Sequence, residues 1–308
     1  MERLLNILIE RNKHLAQYGK VADYIPALAN ANPKDVGICI IDIDGGIYTG
    51  GNYNKKFTIQ SISKIISLTL AIIDKGEEEV FKKVGMEPTA EPFNSLYRLD
   101  LFEFERPSNP MINSGAIATT SLIEGKGEEK FNRLLEFTRK IVQNHNLDYN
   151  KEVYLSERAT ANKNRAIAYL LTDNGLLEED VEEILDNYFK QCSIEVDCVD
   201  LAKIGIFFGN KCRNLKSKEA LCDEKIASII IPIMTTCGMY NFSGEYAVNV
   251  GIPSKSGVAG GILAIVPGRY GIGVYGPALD KYGNSIVGYQ ILKDLSRELN
   301  LSIFKPQI

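Results

Sequence analysis

The sequence predicts a mixed α+β fold: an antiparallel sheet flanked by helices, carrying a mostly helical insertion. Two observations predict it. Strand-like segments punctuated by glycine lie near both ends of the chain, and helical periodicity fills the middle. Two separate half-sheets would expose unpaired edges, so the simplest arrangement joins them into one sheet. The 308 residues then form one catalytic unit. An α/β part comes from about 1–64 and 220–308, and a helical part from about 65–219. The cleft between the two layers is the natural place for a site. With 45% hydrophobic and 24% charged residues, the chain can bury a sizeable core.

The elements follow in order. Leu4, Leu5, Ile7, Leu8 and Leu15 recur at helical spacing, which predicts an amphipathic helix ending at Gly19. VADYIPALAN is short and broken by proline. In DVGICIIDIDGGIYTG, the Asp44-Gly45-Gly46 turn between β-branched runs predicts a hairpin. FTIQ, at 57–60, is short and β-rich. From Ser61 the period changes. Ile62, Ile65, Ile66, Leu68, Ile72 and Ile73 make a helix apolar nearly all round, a helix for the centre of the protein, ended by Gly76. Further helices are expected over 77–84, 113–123, 128–143, 163–172, 178–191, 195–208 and 218–236. Loops such as EPFNSLYRLDLFEFERPSNPM separate them. The stretch EYAVNVGIPSKSGVAGGILAIVPGRYGIGVYGPAL is rich in glycine and β-branched residues and predicts three strands. A last helix spans roughly 284–299.

Composition excludes several function classes. The formal net charge is −4, and Lys and Arg are scattered, so no surface for nucleic acid or an anionic membrane is expected. The six cysteines form no C-x-x-C pair, which suits buried thiols in a reducing cytoplasm rather than a disulfide scaffold. Charged residues interrupt the N-terminal helix, so it does not read as a signal peptide. No segment approaches the ~20 apolar residues of a membrane span. A cytoplasmic protein is expected. No His/Cys/Asp cluster has metal-ligand spacing, so neither a metal nor an organic cofactor is expected.

The chemistry concentrates in QSISK. A serine hydroxyl needs a base beside it. The only histidines are His14, among charged residues of the first helix, and His145, in the polar QNHNLDYN. Neither setting suggests a Ser-His-Asp triad. A lysine can serve instead where burial or nearby cations lower its pKa. Ser61 and Lys64 stand at i and i+3 and share a helix face, whereas Ser63 points about 100° away. Ser61 also falls at the predicted helix start, where unpaired N–H groups can help hold an oxyanion. By itself S-x-x-K is a weak pattern. It recurs as Ser302-Ile303-Phe304-Lys305 in the tail, and at Ser61 it equally fits an N-cap serine with a snorkelling lysine.

A second motif sharpens the first. Ser-Lys enzymes of the penicillin-recognising type pair S-x-x-K with a K-T-G-like strand late in the chain and an S-D-N-like element between them. Here Lys255-Ser256-Gly257 lies on a predicted strand at the sheet edge, followed by small residues that would let substrate approach the backbone. The middle element is missing. Thr172-Asp173-Asn174 precedes Gly175 and reads as a helix end, and Tyr282-Gly283-Asn284 comes too late in the chain.

Together these residues resemble the serine-dependent glutaminases, whose fold is like that of β-lactamases and transpeptidases. The resemblance runs from about Tyr18 to Ile291. GKVADYIP, QSISK, NPMINSGAI, SERATANKNRAIAYLL, YFKQCSIEV, TTCGMYNFSGEYAVNVGIPSKSGVAGGI and LDKYGNS carry it. It implies hydrolysis of L-glutamine to L-glutamate and ammonia through an acyl-enzyme. Ser61 would be the nucleophile, Lys64 its base, and Tyr24 and Tyr240 active-site tyrosines. Substrate would meet Ser61, Asn113, Glu157, Asn164, Tyr188, Tyr240 and the backbone N–H of Val258. Lys255, Ser256 and Gly257 would support them. The residue types suit free glutamine. Glu157 can hold the α-ammonium, Asn113, Asn164 and Tyr188 offer donors to the α-carboxylate, and N–H groups of Ser61 and Val258 can form an oxyanion hole. The resemblance further implies a homo-oligomer, a dimer or tetramer.

Without the resemblance, Glu157 reads as a solvated charge in a polar loop, Asn164 as a residue near a helix start and Tyr188 as a core tyrosine. Two other functions stay open on the residues: a penicillin-recognising acylase or peptidase, and a binding protein that kept the fold without turnover. Whether Lys64 or a tyrosine is the working base is open as well.

Overall fold

The computed structural model describes residues 1–89, 91–92, 94–95 and 106–305. Among them the helices are α1 (Glu2–Asn12), α2 (Ser63–Lys75), α3 (Glu77–Lys83), α4 (Asn113–Ser121), α5 (Glu128–Val142), α6 (Lys151–Thr160), α7 (Asn162–Asp173), α8 (Val181–Cys192), α9 (Cys198–Gly209), α10 (Glu224–Cys237), α11 (Ser243–Asn249) and α12 (Ile286–Glu298). The strands are β1 (Gly37–Asp42), β2 (Ile47–Gly51), β3 (Phe57–Thr58), β4 (Glu195–Val196), β5 (Ser254–Ser256), β6 (Gly261–Val266) and β7 (Tyr270–Tyr275). Asp and Asn side chains set several helix starts: Asn150, Asp180, Asp197 and Asp223 each accept a backbone N–H of the first turn.

The early hairpin and the late strands join into one antiparallel sheet of five strands, in the order β2-β1-β7-β6-β5. Ile40 of β1 lies opposite Ile272 of β7, which binds the two ends of the chain together. Both faces are buried, with alternate residues serving each. Ile38 and Ile40 of β1, with Ile262 and Ile272, pack against Leu5 and Leu8 of α1 and Ile291 and Leu292 of α12. Cys39 and Ile41 point the other way, into the core that contains Leu201 and Phe207 of α9.

The glycine spacing in β7 has a direct cause. Gly271 and Gly273 stand two apart and so share a face. A Cβ on Gly271 would lie 2.1 Å from the Ile206 nitrogen, and one on Gly273 2.3 Å from the Cys198 carbonyl oxygen. Helix α9 therefore rests on bare β7 backbone. On the far side of α9, α2 forms the centre of the helical layer, packed against α3, α4, α5 and α10. Its residues 63–72 are all buried, as its all-round apolar character predicts.

Several expectations change. Ser61 does not begin the α-helix. It lies on a 3-10 turn, Gln60–Ile62, that leads into α2 at Ser63. FTIQ does not join the main sheet: β3 pairs with β4 as a separate two-stranded ribbon, and the helix expected over 195–208 begins at Cys198, behind the Asp197 cap. EYAVN is helical, within α11. The segment 151–160, expected as loop, is α6. The expected loop EPFNSLYRLDLFEFERPSNPM falls partly outside the described residues. No single described helix is long and apolar enough to cross a membrane.

Candidate active site

The ribbon β3–β4 aims the chain at the site. Ile59 N–H donates to the Ile194 carbonyl at 2.8 Å, and the backbone then turns sharply: Gln60 has φ +49°, a left-handed conformation uncommon for a residue with a side chain. Tyr240, across the site, is held likewise at φ +56°. Such strain persists only where surrounding structure enforces it, and it gathers at functional sites. Gly257 enforces part of it here. A Cβ on Gly257 would lie 2.7 Å from the Ile59 carbonyl oxygen, so the absent side chain lets the end of β5 close on the Gln60–Ile62 turn. The K-S-G glycine thus makes room for the protein's own backbone.

Ser61, Asn113, Glu157, Asn164, Tyr188 and Val258 line one cleft, with Tyr24 at its side. The cleft encloses about 570 Å³ of empty space, its open mouth included. Lys64, Tyr240, Lys255, Ser256 and Gly257 lie behind this lining and support it. Tyr24 is the most open of the set, 53% exposed.

Lys64 is wholly buried. Its Nζ donates to the Met111 carbonyl at 3.0 Å and to Asn113 Oδ1 at 2.8 Å. Burial pulls its pKa down to about 8, against a smaller upward pull from the Cys192 thiol and Glu157. Two acceptors match the two N–H groups of a neutral amine and leave its lone pair unused. Asn113 passes the chain on: its Nδ2 donates to Asn164 Oδ1 at 2.9 Å.

Ser61 and Tyr240 are hydrogen-bonded through their side chains. The Tyr240 hydroxyl also donates to the Ser256 carbonyl at 3.2 Å, so toward Ser61 its oxygen is the acceptor. Burial raises the Tyr240 pKa and keeps the phenol protonated. Lys255 sits below, its Nζ 4.5 Å from the Tyr240 ring centroid and 2.7 Å from the Ser256 carbonyl oxygen. Its pKa is pushed far down, by burial first and then by the charge of Lys64. Ser63 turns away from the cleft, its Oγ 3.9 Å from Cys192 Sγ.

Glu157 departs most from its expected setting. It is 7% exposed, on α6, and its Oε2 is buried without a hydrogen-bond partner. Burial raises its pKa to about 8, while the positive charge of Lys64 pulls the other way. A buried carboxyl with an unpaired oxygen in an open cleft is prepared for a cation. The signal was present in the sequence: Val153, Tyr154 and Glu157 share the buried face of α6.

The sequence reading missed seven residues of the cleft lining: Ile25, Gln60, Asn94, Thr160, Ala161, Lys163 and Cys192. Gln60 immediately precedes the nucleophile candidate. Cys192 stands at i+4 from Tyr188 on α8, so both face the cleft. Lys163 precedes Asn164 at the rim, where its Nζ donates to Asn94 Oδ1 at 3.2 Å.

The glutaminase family model matches residues 19–304 of this chain. A glutaminase of Clostridioides difficile strain 630 is 54% identical to it over 304 residues, 98% of each chain. A glutaminase of Geobacillus thermodenitrificans strain NG80-2 is 51% identical over 297 residues, 96% of each. The solved structure of a probable glutaminase from Bacillus subtilis, complexed with 6-diazo-5-oxo-L-norleucine, superposes with a TM-score of 0.90 at 39% identity, covering 97% of this chain and 95% of that one. A Bacillus subtilis glutaminase in covalent complex with 5-oxo-L-norleucine superposes with a TM-score of 0.91 at 38% identity, covering 98% and 99%.

Proposed function

The chain belongs to the glutaminase family, and on that premise we propose that it converts L-glutamine to L-glutamate and ammonia through an ester on Ser61, with Lys64 as base and Tyr24 and Tyr240 completing the catalytic set. The observation that carries this reading is the buried Lys64, its pKa brought down to about 8, one helical turn after a serine on a strained turn. A base with its pKa near working pH is the efficient choice.

In this mechanism Glu157 takes the α-ammonium of glutamine, and Asn113, Asn164 and Tyr188 offer hydrogen bonds to the α-carboxylate. The side-chain amide then lies over Ser61. Lys64 removes the hydroxyl proton as Oγ attacks the amide carbon. The N–H groups of Ser61 and Val258 hold the tetrahedral oxyanion. The carbon–nitrogen bond breaks as the nitrogen receives a proton from Lys64, directly or through the Tyr240 hydroxyl, and ammonia leaves. Water, deprotonated by the same base, cleaves the ester and returns Ser61. Lys255, Ser256 and Gly257 hold Tyr240 and the serine turn in register.

The reading extends to a cytoplasmic enzyme in which residues 1–308 act as one catalytic unit and assemble as a homodimer or homotetramer. Its test is ammonia release from glutamine. Ser61→Ala loses it to background, whereas Ser63→Ala retains it. Wild-type rates in Ser61→Ala would overturn the assignment.

A further inference from the structure

A second cavity lies apart from the active-site cleft and shares no residue with it. Ile141 at the end of α5, Ile206 and Phe207 of α9, and Leu215 of the following loop form its apolar wall. Ile41 and Ile47 of the β1–β2 hairpin close another side. It encloses about 470 Å³ of empty space, open solvent at its mouth included.

Three cations line it: Lys203, Arg213 and Lys216. None forms an ion pair among the described residues. Lys203 and Lys216 make no hydrogen bond there either. Arg213 makes one long contact, 3.5 Å to the Lys218 carbonyl. Lys203 lies within electrostatic reach of Asp200, but that carboxylate already takes Lys56 at 3.2 Å. Elsewhere the buried lysines Lys130 and Lys190 meet carboxylates at 2.9 and 2.6 Å. Lys203 is half-buried, and Arg213 and Lys216 are exposed. The wall carrying Arg213 and Lys216 is built rather than loose. Asn214 Nδ2 donates to the Lys140 carbonyl at 3.2 Å, and Leu221 N–H to the Cys212 carbonyl at 3.1 Å.

We propose that this slot binds a small amphiphilic anion: a carboxylate borne on an unbranched apolar chain. The chain takes the Ile141–Ile206–Phe207 wall, and the carboxylate takes the cationic rim. Each part alone is too weak. The apolar wall gives no reason for the three cations, and a bare oxyanion leaves the wall unused.

Titration calorimetry with sodium decanoate, kept below its micelle concentration, tests this. The wild-type protein is expected to bind one decanoate per chain, saturably. Lys203→Ala/Arg213→Ala weakens binding at least about tenfold, the scale of one lost charge-assisted hydrogen bond. Leu215→Asp, which sets a carboxylate at the mouth, weakens it similarly. Unchanged ammonia release shows that these variants are folded. Decanol binds more weakly than decanoate, and inorganic phosphate not at all. Absence of saturable decanoate binding, decanoate affinity unaltered in the double variant, or phosphate binding as tightly as decanoate would overturn the proposal.

Discussion

Burying a lysine and a glutamate costs free energy, and in the proposed mechanism these two groups set the pH dependence. Lys64 is brought down to about 8 and Glu157 up to about 8, both mainly by burial. In the proposed mechanism each acts in its deprotonated form: Lys64 as a neutral base, Glu157 as a carboxylate for the ammonium. Both forms are gained as pH rises, so their effects reinforce. The expected profile of kcat/KM climbs through about pH 8 with a logarithmic slope between one and two, then falls as the substrate ammonium deprotonates. Glu157→Gln keeps the shape of the side chain and removes its charge. It raises KM far more than it lowers kcat, and it brings the slope of the rising limb to one. A rising limb centred near pH 6 in the wild type would contradict this assignment of the base.

Elements place these side chains, and two bare-backbone contacts do much of that placing. Gly257→Ala sets a Cβ against the Ile59 carbonyl and pushes the serine turn away from β5. Loss of most ammonia release, with thermal stability lowered by roughly 1–3 kcal/mol, is the expected outcome of such overpacking. Gly271→Ala does the same between β7 and α9, far from the chemistry. It is expected to lower the urea midpoint by at least as much while leaving KM unchanged in the protein that remains folded. These contacts also mark what could be read beforehand. The apolar run of α2 announced a central helix, and the alternating glycines of the late strands announced a sheet. The helix α6 was hidden because Lys151, Glu152, Ser156 and Glu157 read as loop polarity; only the spacing of Val153 and Tyr154 betrays its buried side. The 3-10 turn at Ser61 left no local signal, since its cause lies more than a hundred residues away, in β5 and in the ribbon strand β4.

At the scale of the molecule, the chain returns to its beginning: β1 pairs with β7 inside the sheet, and the edge strand β5 of that sheet brings Lys255 and Ser256 under Tyr240. Pairing of two half-sheets could be argued from exposed edges alone, and K-S-G on an edge strand followed from sequence order. The proposed substrate-holding set could not. Asn113, Glu157, Asn164 and Tyr188 come from four different helices, and only their resemblance to a known family gathered them before the structure did. The proposed function rests on one bond, the ester at Ser61. Mass spectrometry of the intact protein after reaction with 6-diazo-5-oxo-L-norleucine, followed by peptide mapping, tests that bond most directly. One adduct per chain, on the peptide carrying Ser61 and absent from Ser61→Ala, is the predicted result; an adduct on Cys192 or Ser63, or one that persists in Ser61→Ala, would contradict it.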